Sequence, residues 1–211
     1  MGLTQYVRDR QWATVAGYAL FVALMVAGYY YNITFVQLGL IDLGSRLVGM
    51  TETAVSIWMA GLALCTLVVA VVTGLTMDRR GWGTDLRLKL RLLFGVVLVQ
   101  FCLTLVAQEI RTVPAFGLWI VLASIALGVG FPVSFSLAID LVSVPDRGYV
   151  AAAITALAYF LANAFPLTWS IDVFTDLMIA AMLPGLVVLG AIASGRVAVF
   201  ERLLVELSGQ H

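Results

Sequence analysis

The stretch that decides the fold is residues 74–91, Gly-Leu-Thr-Met-Asp-Arg-Arg-Gly-Trp-Gly-Thr-Asp-Leu-Arg-Leu-Lys-Leu-Arg. Five of the twelve Lys and Arg residues of the chain fall in this run, namely Arg79, Arg80, Arg87, Lys89 and Arg91. Long apolar segments lie on both sides of it, and about 20 apolar residues are enough for a helix to cross a bilayer. The run is therefore predicted to be a charged loop between two membrane helices.

Composition indicates that lipid is the solvent for most of the chain. Hydrophobic residues make up 62% of the sequence, charged residues only 11%, and the mean hydropathy is +1.04. A soluble domain carries about a quarter of its residues as charges, so this chain could not cover a water-exposed surface. The basic residues are few and have no soluble platform, so nucleic acid is not an expected partner.

Six apolar segments are long enough to span a membrane. They cover residues 12–36, 54–75, 88–108, 115–142, 149–169 and 174–199, each with approximate bounds. The first is longer than a signal-peptide core and lacks a cleavage site, so it is expected to be retained. The predicted fold is an all-α integral membrane protein, a single six-helix transmembrane bundle over residues 1–211 with no soluble domain.

The placement of basic residues predicts the orientation of this bundle. Six helices bring both termini to one side, together with the second-to-third and fourth-to-fifth loops. That side would hold ten of the twelve Lys and Arg residues, namely Arg8, Arg10, Arg79, Arg80, Arg87, Lys89, Arg91, Arg147, Arg196 and Arg202. Only Arg46 and Arg111 fall on the other side. Cytoplasmic loops carry the excess of basic residues, so both termini are predicted to be cytoplasmic. Scarce Lys beside abundant Arg, Val and Ala favours a prokaryotic plasma membrane.

Two motifs carry a family resemblance. The pattern Gly74-x-x-x-Asp78-Arg79-x-Gly81 resembles the signature loop between the second and third helices of the major facilitator superfamily. The acid Asp140, followed by the sequence Pro-Asp-Arg-Gly at 145–148, is similar to the family pattern after the fourth helix. The chain departs from the family at residues 82–83, where Trp-Gly stands in place of further basic residues, and in having about half the usual length.

The resemblance implies one six-helix half of a transporter for a small solute. In this family the substrate path lies between two such halves. A half-length member would therefore work as a homodimer or with a second six-helix half, unless the sequence is a fragment of a longer protein. The alternative function is a non-transporting accessory or assembly subunit of a membrane complex.

The charged residues of the two motifs are expected to form a network at the cytoplasmic edge. The candidate network consists of Asp78, Arg79 or Arg80, Asp140 and Arg147. Gly74 and Gly81 would permit tight turns and close helix approach. The resemblance implies that such a network holds the two halves together on the inner side. The alternative is that these charges only fix the topology and reach water.

Neutral polar and aromatic side chains at membrane depth are the candidates for substrate contact. The resemblance implies that the first and fourth helices line the path, and the candidates are Asn32, Phe131, Ser134 and Tyr159. The alternative is that such side chains form interhelical hydrogen bonds, each worth about 1 kcal/mol or less. The predicted helix centres contain no charged residue, which argues against a proton relay within this chain.

No enzymatic or cofactor signature is present in the sequence. It has no Ser-His-Asp set, no glycine-rich phosphate loop and no cluster of metal ligands, so neither catalysis nor a cofactor or metal is expected. His211 is the only histidine and the last residue. Cys65 and Cys102 fall within apolar segments, where they are predicted to be small apolar core residues.

Overall fold

The computed structural model describes residues 18–19, 21–23, 25–28, 31–32, 39–164 and 171–195. Helices make up all the regular structure in these ranges, which contain no strand. The helices are α1 (Leu40–Asp42), which continues as a π-helical turn over Leu43–Leu47, α2 (Glu52–Arg79), α3 (Leu86–Ala107), α4 (Val113–Leu141), α5 (Arg147–Ala164) and α6 (Ile171–Ala193). Residues 18–19, 21–23 and 25–28 are also helical.

Helices α2 to α6 overlap the second to sixth predicted segments. Parts of three predicted segments lie outside the described residues. These are most of the first segment, residues 165–169 of the fifth and residues 196–199 of the sixth. The same holds for Arg8, Arg10, Arg196 and Arg202, on which the predicted orientation depends. Three helices, α2, α3 and α4, are long and apolar enough to cross a membrane. The described part of the chain therefore has the character of a membrane protein.

The charged run at 74–91 is mostly helical, which corrects its prediction as a loop. Helix α2 continues through Arg79 and α3 begins at Leu86, so only residues 80–85 connect them. The helix ends where Gly81 adopts a φ of 66°, a left-handed conformation that glycine reaches without steric cost. The charge of residues 76–79 obscured this extension in the sequence, but a helix end is set by backbone geometry and capping.

Side-chain caps set the beginnings of the three long helices. Thr51, Asp85 and Thr112 each adopt an extended backbone conformation and accept a hydrogen bond from the backbone N–H three residues later. Such a cap satisfies one of the amide groups that a helix leaves without a partner at its first turn. The caps leave residues 80–85 to connect α2 to α3 and residues 108–112 to connect α3 to α4.

Helices α2 and α4 pack closely because α4 offers glycine at the points of contact. A Cβ added at Gly117 would stand 2.8 Å from the ring of Trp58. One added at Gly128 would stand 2.5 Å from Val69 Cβ and 2.9 Å from the carbonyl oxygen of Thr66. Small residues allow two helix backbones to approach in a membrane, where packing contributes much of the association energy. We call this contact the α2–α4 seam.

Helix α4 lies at the centre of the bundle and α2 at its periphery. Of the most apolar 18-residue stretch in each helix, 56% is buried in α4, 39% in α3 and 11% in α2. Helix α2 presents a row of apolar side chains more than half exposed: Ile57, Leu64, Leu67, Val68, Val71, Val72 and Leu75. From residue 57 to residue 75 this row extends about 27 Å at 1.5 Å per residue, close to the ~30 Å hydrocarbon thickness of a bilayer. We call it the lipid-facing row.

Candidate functional site at the charged end of the bundle

One end of the bundle collects most of the charged side chains of the described residues. Here α2, α4 and α6 end and α3 and α5 begin. Two contacts hold the helix ends together: Lys89 Nζ lies 2.5 Å from Asp140 Oδ2, and Arg91 Nε donates to the carbonyl oxygen of Ala193 at 3.5 Å. The first joins α3 to α4 and the second joins α3 to α6. We call this region the charged end.

The Lys89–Asp140 ion pair joins a fully buried cation to a partly exposed anion. The Lys89 side chain is 0% exposed and that of Asp140 is 30% exposed. Lys89 lies in the first turns of α3 and Asp140 in the last turn of α4. A cation near a helix N-terminus and an anion near a helix C-terminus both oppose the helix dipole. Neither charge therefore stabilises its own helix, and each depends on the other helix for compensation.

The partner of Asp140 in the structure is Lys89, which the network expected from the sequence did not include. Arg147 does not reach Asp140; it donates from Nη2 to the carbonyl oxygen of Ile139 at 2.8 Å and from Nε to that of Val142 at 3.2 Å. A guanidinium in this position binds carbonyls that α4 leaves without intrahelical partners. The negative end of the helix dipole also stabilises its positive charge.

The residues of the first motif lie apart from this ion pair. Asp78, Arg79 and Arg80 are exposed at the end of α2. The guanidinium of Arg80 lies over the ring of Trp82, 5.3 Å from its centroid, within cation–π range. Gly74 is helical, with nothing within 4 Å of the position a Cβ would take. The close helix approach expected at Gly74 is therefore not made there, whereas the tight turn expected at Gly81 is present.

A second polar cluster at the charged end was missed by the sequence analysis. Asp146 is 4% exposed, and its Oδ2 accepts hydrogen bonds from the Tyr18 hydroxyl at 3.2 Å and from Ser143 Oγ at 2.5 Å. The Tyr18 oxygen in turn accepts from the backbone N–H of Ser143 at 2.9 Å. These bonds join the N-terminal helical residues to the α4–α5 connection. Ser-x-x-Asp at 143–146 directly before a helix is a capping pattern that could have indicated the cluster.

The four candidate substrate-contact residues occupy different environments. Asn32, Phe131 and Ser134 are half-buried, and Tyr159 is 56% exposed. Among the described residues, Asn32 Oδ1 is buried and has no hydrogen-bond partner. Phe131 packs against the apolar cluster that includes Tyr31. Within the described residues, no hydrogen bond joins the four candidates to one another.

Deeper polar groups form interhelical hydrogen bonds. The Tyr31 hydroxyl donates to the carbonyl oxygen of Gln100 at 3.2 Å and lies 3.0 Å from Thr104 Oγ1. Trp119 Nε1 donates to the carbonyl oxygen of Leu103 at 2.9 Å, which joins α4 to α3. These polar groups at membrane depth therefore form hydrogen bonds between helices, which is the alternative to substrate contact. They stabilise the bundle and leave the charged end and the exposed face of α5 as the candidate functional surfaces.

The two cysteines do not share one environment. Cys65 is half-buried, as a packed apolar residue would be, but Cys102 is exposed. The prediction of a core position is wrong for Cys102, because α3 turns the stripe of Leu98, Cys102 and Leu105 away from its neighbours. Among the described residues, no group of three or more His, Cys, Asp or Glu side chains could hold a metal ion.

The chemical character of the site follows from where its charges lie. The apolar portions of α2 to α6, residues 53–77, 92–107, 113–139, 148–164 and 177–193, contain no Asp, Glu, Lys, Arg or His. Charge is therefore confined to the ends of these helices, where it can form ion pairs or bind groups at the membrane surface.

No protein-family model, curated protein or solved structure is significantly similar to this chain.

Proposed function

We propose that the chain is one six-helix half of a major-facilitator-like transporter in a prokaryotic plasma membrane. It pairs with a second copy of itself, or with a second six-helix half, and moves a small solute along the path between them. Both termini lie in the cytoplasm. The resemblance of residues 74–81 and 140–148 to the family motifs and the three long apolar helices support this proposal.

The observation that carries the proposal is the face of α5. The buried residues of this helix are Ile154, Ala158 and Ala162, which are spaced four residues apart and lie on one side of it. The exposed residues form two adjoining surfaces: a stripe of Thr155, Tyr159 and Asn163 with the alanines at 151–153 and 156, and an apolar side with Leu157 and Phe160. We call the first of these, the polar and small-residue stripe, the open face of α5.

The open face of α5 differs in chemistry from the lipid-facing row of α2. Thr, Tyr and Asn side chains within a membrane helix favour a protein interface or a water-filled cavity over lipid. The small alanine side chains beside them allow a second helix to approach closely. The row on α2 contains only aliphatic side chains. A second six-helix unit against α5, with the solute path at the junction, accounts for this difference.

The charged end supplies the rigidity that a half-transporter needs. Transport by alternating access moves one bundle against another around a fixed site. The Lys89–Asp140 pair joins α3 to α4, and the α2–α4 seam joins α4 to α2. These helices would then move as one body, while α5 remains available for the contact with the second unit.

A non-transporting accessory subunit is the second candidate function. It is favoured by the absence of Asp, Glu, Lys, Arg and His from the apolar portions of the described helices, because coupled transporters use such residues as ion and proton sites. In that case the open face of α5 would bind another membrane protein and no solute would cross.

The first experiment measures oligomeric mass in nanodiscs by native mass spectrometry, together with cysteine cross-linking. In a background lacking Cys65 and Cys102, Thr155→Cys on the open face is compared with Leu67→Cys on the lipid-facing row. We expect a dimer that cross-links through position 155 and not through position 67.

The outcomes separate the candidates. A clean monomer in nanodiscs would refute self-pairing, and equal cross-linking at both positions would refute α5 as the interface. A dimer with the expected cross-link is then tested for uptake of a panel of small solutes into proteoliposomes. A dimer that moves none of them would favour the accessory subunit.

A further inference from the structure

Three hydrogen-bonding side chains follow one another along the open face of α5. Thr155, Tyr159 and Asn163 are exposed and lie four residues apart, so they share one side of the helix. At 1.5 Å per residue they lie about 12, 18 and 24 Å along the helix from Arg147 at the charged end. The hydrocarbon layer of a bilayer is about 30 Å thick, so these side chains lie within it. We call the three residues the polar row.

The polar row has hydrogen-bonding groups without a partner in the described part of the chain. The Thr155 and Tyr159 hydroxyls form no hydrogen bond there, and Asn163 uses only its Nδ2 group, which donates to the Tyr159 carbonyl oxygen at 2.8 Å. On the lipid-facing helix α2, by contrast, the exposed Ser56 and Thr76 donate to carbonyl oxygens four residues earlier, at 2.9 and 2.7 Å. A hydroxyl that bonds its own helix can face lipid, whereas the hydroxyls of the polar row need an external partner.

Neither lipid nor an apolar protein surface satisfies the polar row. A polar group that loses its hydrogen bonds in an apolar medium costs free energy, and water or a hydrogen-bonding solute restores those bonds. The exposed Ala152 and Ala156 beside the row are small, so they leave it accessible. The adjoining side of α5 with Leu157 and Phe160 is apolar. The surface that requires a polar environment is therefore limited to one stripe of the helix.

No charged side chain lies at the depth of the polar row in the described helices. The apolar portions of α2 to α6 contain no Asp, Glu, Lys, Arg or His, and residues 12–36 of the sequence contain none either. A second copy brings the same residues, so a path between two copies has no counter-ion for a charged solute. A charge without a partner is costly within a membrane, whereas a neutral polar solute needs only hydrogen bonds.

From these observations we propose that the open face of α5 lines a water-filled path that admits uncharged, hydrogen-bonding solutes and excludes ions. The polar row exchanges hydrogen bonds with water and with the hydroxyl or amide groups of the solute. Tyr159, which is 56% exposed, also offers an apolar ring surface to the carbon skeleton of the solute. The inference rests on the proposed pairing of two copies and adds to it the chemical class of the solute.

The test measures how fast three thiol reagents modify cysteines on the open face. Thr155→Cys and Asn163→Cys are made in the background that lacks Cys65 and Cys102, with Leu67→Cys on the lipid-facing row as the control. The reagents share a methanethiosulfonate group and carry a neutral hydroxyethyl, an anionic sulfonatoethyl or a cationic trimethylammonioethyl group. Each rate in nanodiscs is divided by the rate of the same reagent with a small thiol in solution, which removes differences in intrinsic reactivity.

We expect the neutral reagent to modify positions 155 and 163 about a hundredfold faster than either charged reagent, because an unpaired charge within the membrane costs about that factor. At position 67 all three reagents should react slowly, since a thiol in hydrocarbon rarely ionises to the reactive thiolate. Leu157→Cys on the apolar side of α5 should behave as position 67 does. Adding Ala152→Asp, one turn before position 155, supplies a counter-charge and should raise the rate of the cationic reagent there above that of the anionic one.

Native mass spectrometry of the same samples separates this inference from the proposed function. A monomer in which every position reacts slowly would refute the pairing itself. A dimer in which positions 155 and 163 react as slowly as position 67 would show a dry contact between copies and overturn only the inference about the solute. Equal rates for neutral and charged reagents in the dimer would also overturn it, because the path would not select by charge. Far-UV circular dichroism verifies the helices of each variant, and Tyr159→Cys replaces a cysteine variant that does not fold.

Discussion

Replacing Gly128 by alanine is expected to destabilise the bundle by forcing open the α2–α4 seam. The added Cβ would stand 2.5 Å from Val69 Cβ, whereas ordinary contacts of this kind begin at 3.4 Å. The two helices must therefore separate locally by about 0.9 Å, the difference between these distances. The carbonyl oxygen of Thr66, 2.9 Å from the same position, belongs to the α2 backbone and cannot rotate away. Overpacking of this kind costs about 1–3 kcal/mol.

The matched control is Gly95→Ala in α3. Gly95 is also inside a helix, but nothing lies within 4 Å of the position its Cβ would take. Alanine favours a helix over glycine by about 1 kcal/mol at either site, so this gain cancels when the two variants are compared. The remaining difference in the free energy of unfolding isolates the steric cost at Gly128.

The assay is reversible unfolding in mixed micelles by a titration with sodium dodecyl sulfate, followed by far-UV circular dichroism. We expect Gly128→Ala to unfold at lower detergent fraction than Gly95→Ala, by an amount that corresponds to about 1–3 kcal/mol. Gly128→Leu should be worse, because a longer side chain separates the helices further. If Gly128→Ala were as stable as Gly95→Ala, the close approach of α2 and α4 at this position would be refuted.

The remaining predictions use the same unfolding titration. Asp140→Leu should destabilise by about 3 kcal/mol, since it leaves Lys89 buried and unpaired, and adding Lys89→Met should recover most of the loss; a double variant no better than Asp140→Leu would contradict this. Trp119→Phe should lose about 1 kcal/mol with its hydrogen bond to Leu103, and an unchanged midpoint would show that the bond contributes nothing. Gly81→Ala should lose about 1 kcal/mol because its φ of 66° is strained for alanine, and a variant as stable as Gly95→Ala would show that the turn adapts.

Local sequence was sufficient to locate most of the described helices. Helices α3 and α4 begin and end within two residues of the predicted 88–108 and 115–142, and each begins directly after a polar capping residue, Asp85 or Thr112. The prediction for α2 stopped four residues too early. Residues 76–79 are polar enough to resemble a loop, yet Met77 is buried and the backbone stays helical until Gly81 breaks it. Polarity indicates where lipid ends, which is not where a helix ends.

The partners of the charged residues could not be derived from their order in the chain. Five basic residues lie between positions 79 and 91, and the sequence treats them as nearly equivalent. Only Lys89 lies on the side of α3 that contacts α4, so it alone is buried against Asp140. Likewise Tyr18 and Asp146 are 128 residues apart, and no local pattern indicates that they share a hydrogen bond.

What the sequence by itself determined is the solvent and the class of fold. An apolar chain with few charges must place lipid against most of its surface, and lipid requires that the backbone hydrogen bonds be made within helices. What only the tertiary structure decided is which faces of those helices are used. The glycines of α4 bring α2 into contact, Lys89 is buried with Asp140, and the polar side of α5 stays open. The physical reason is that rotation of a helix about its axis depends on packing against neighbours distant in sequence, whereas helix formation in lipid depends on local composition.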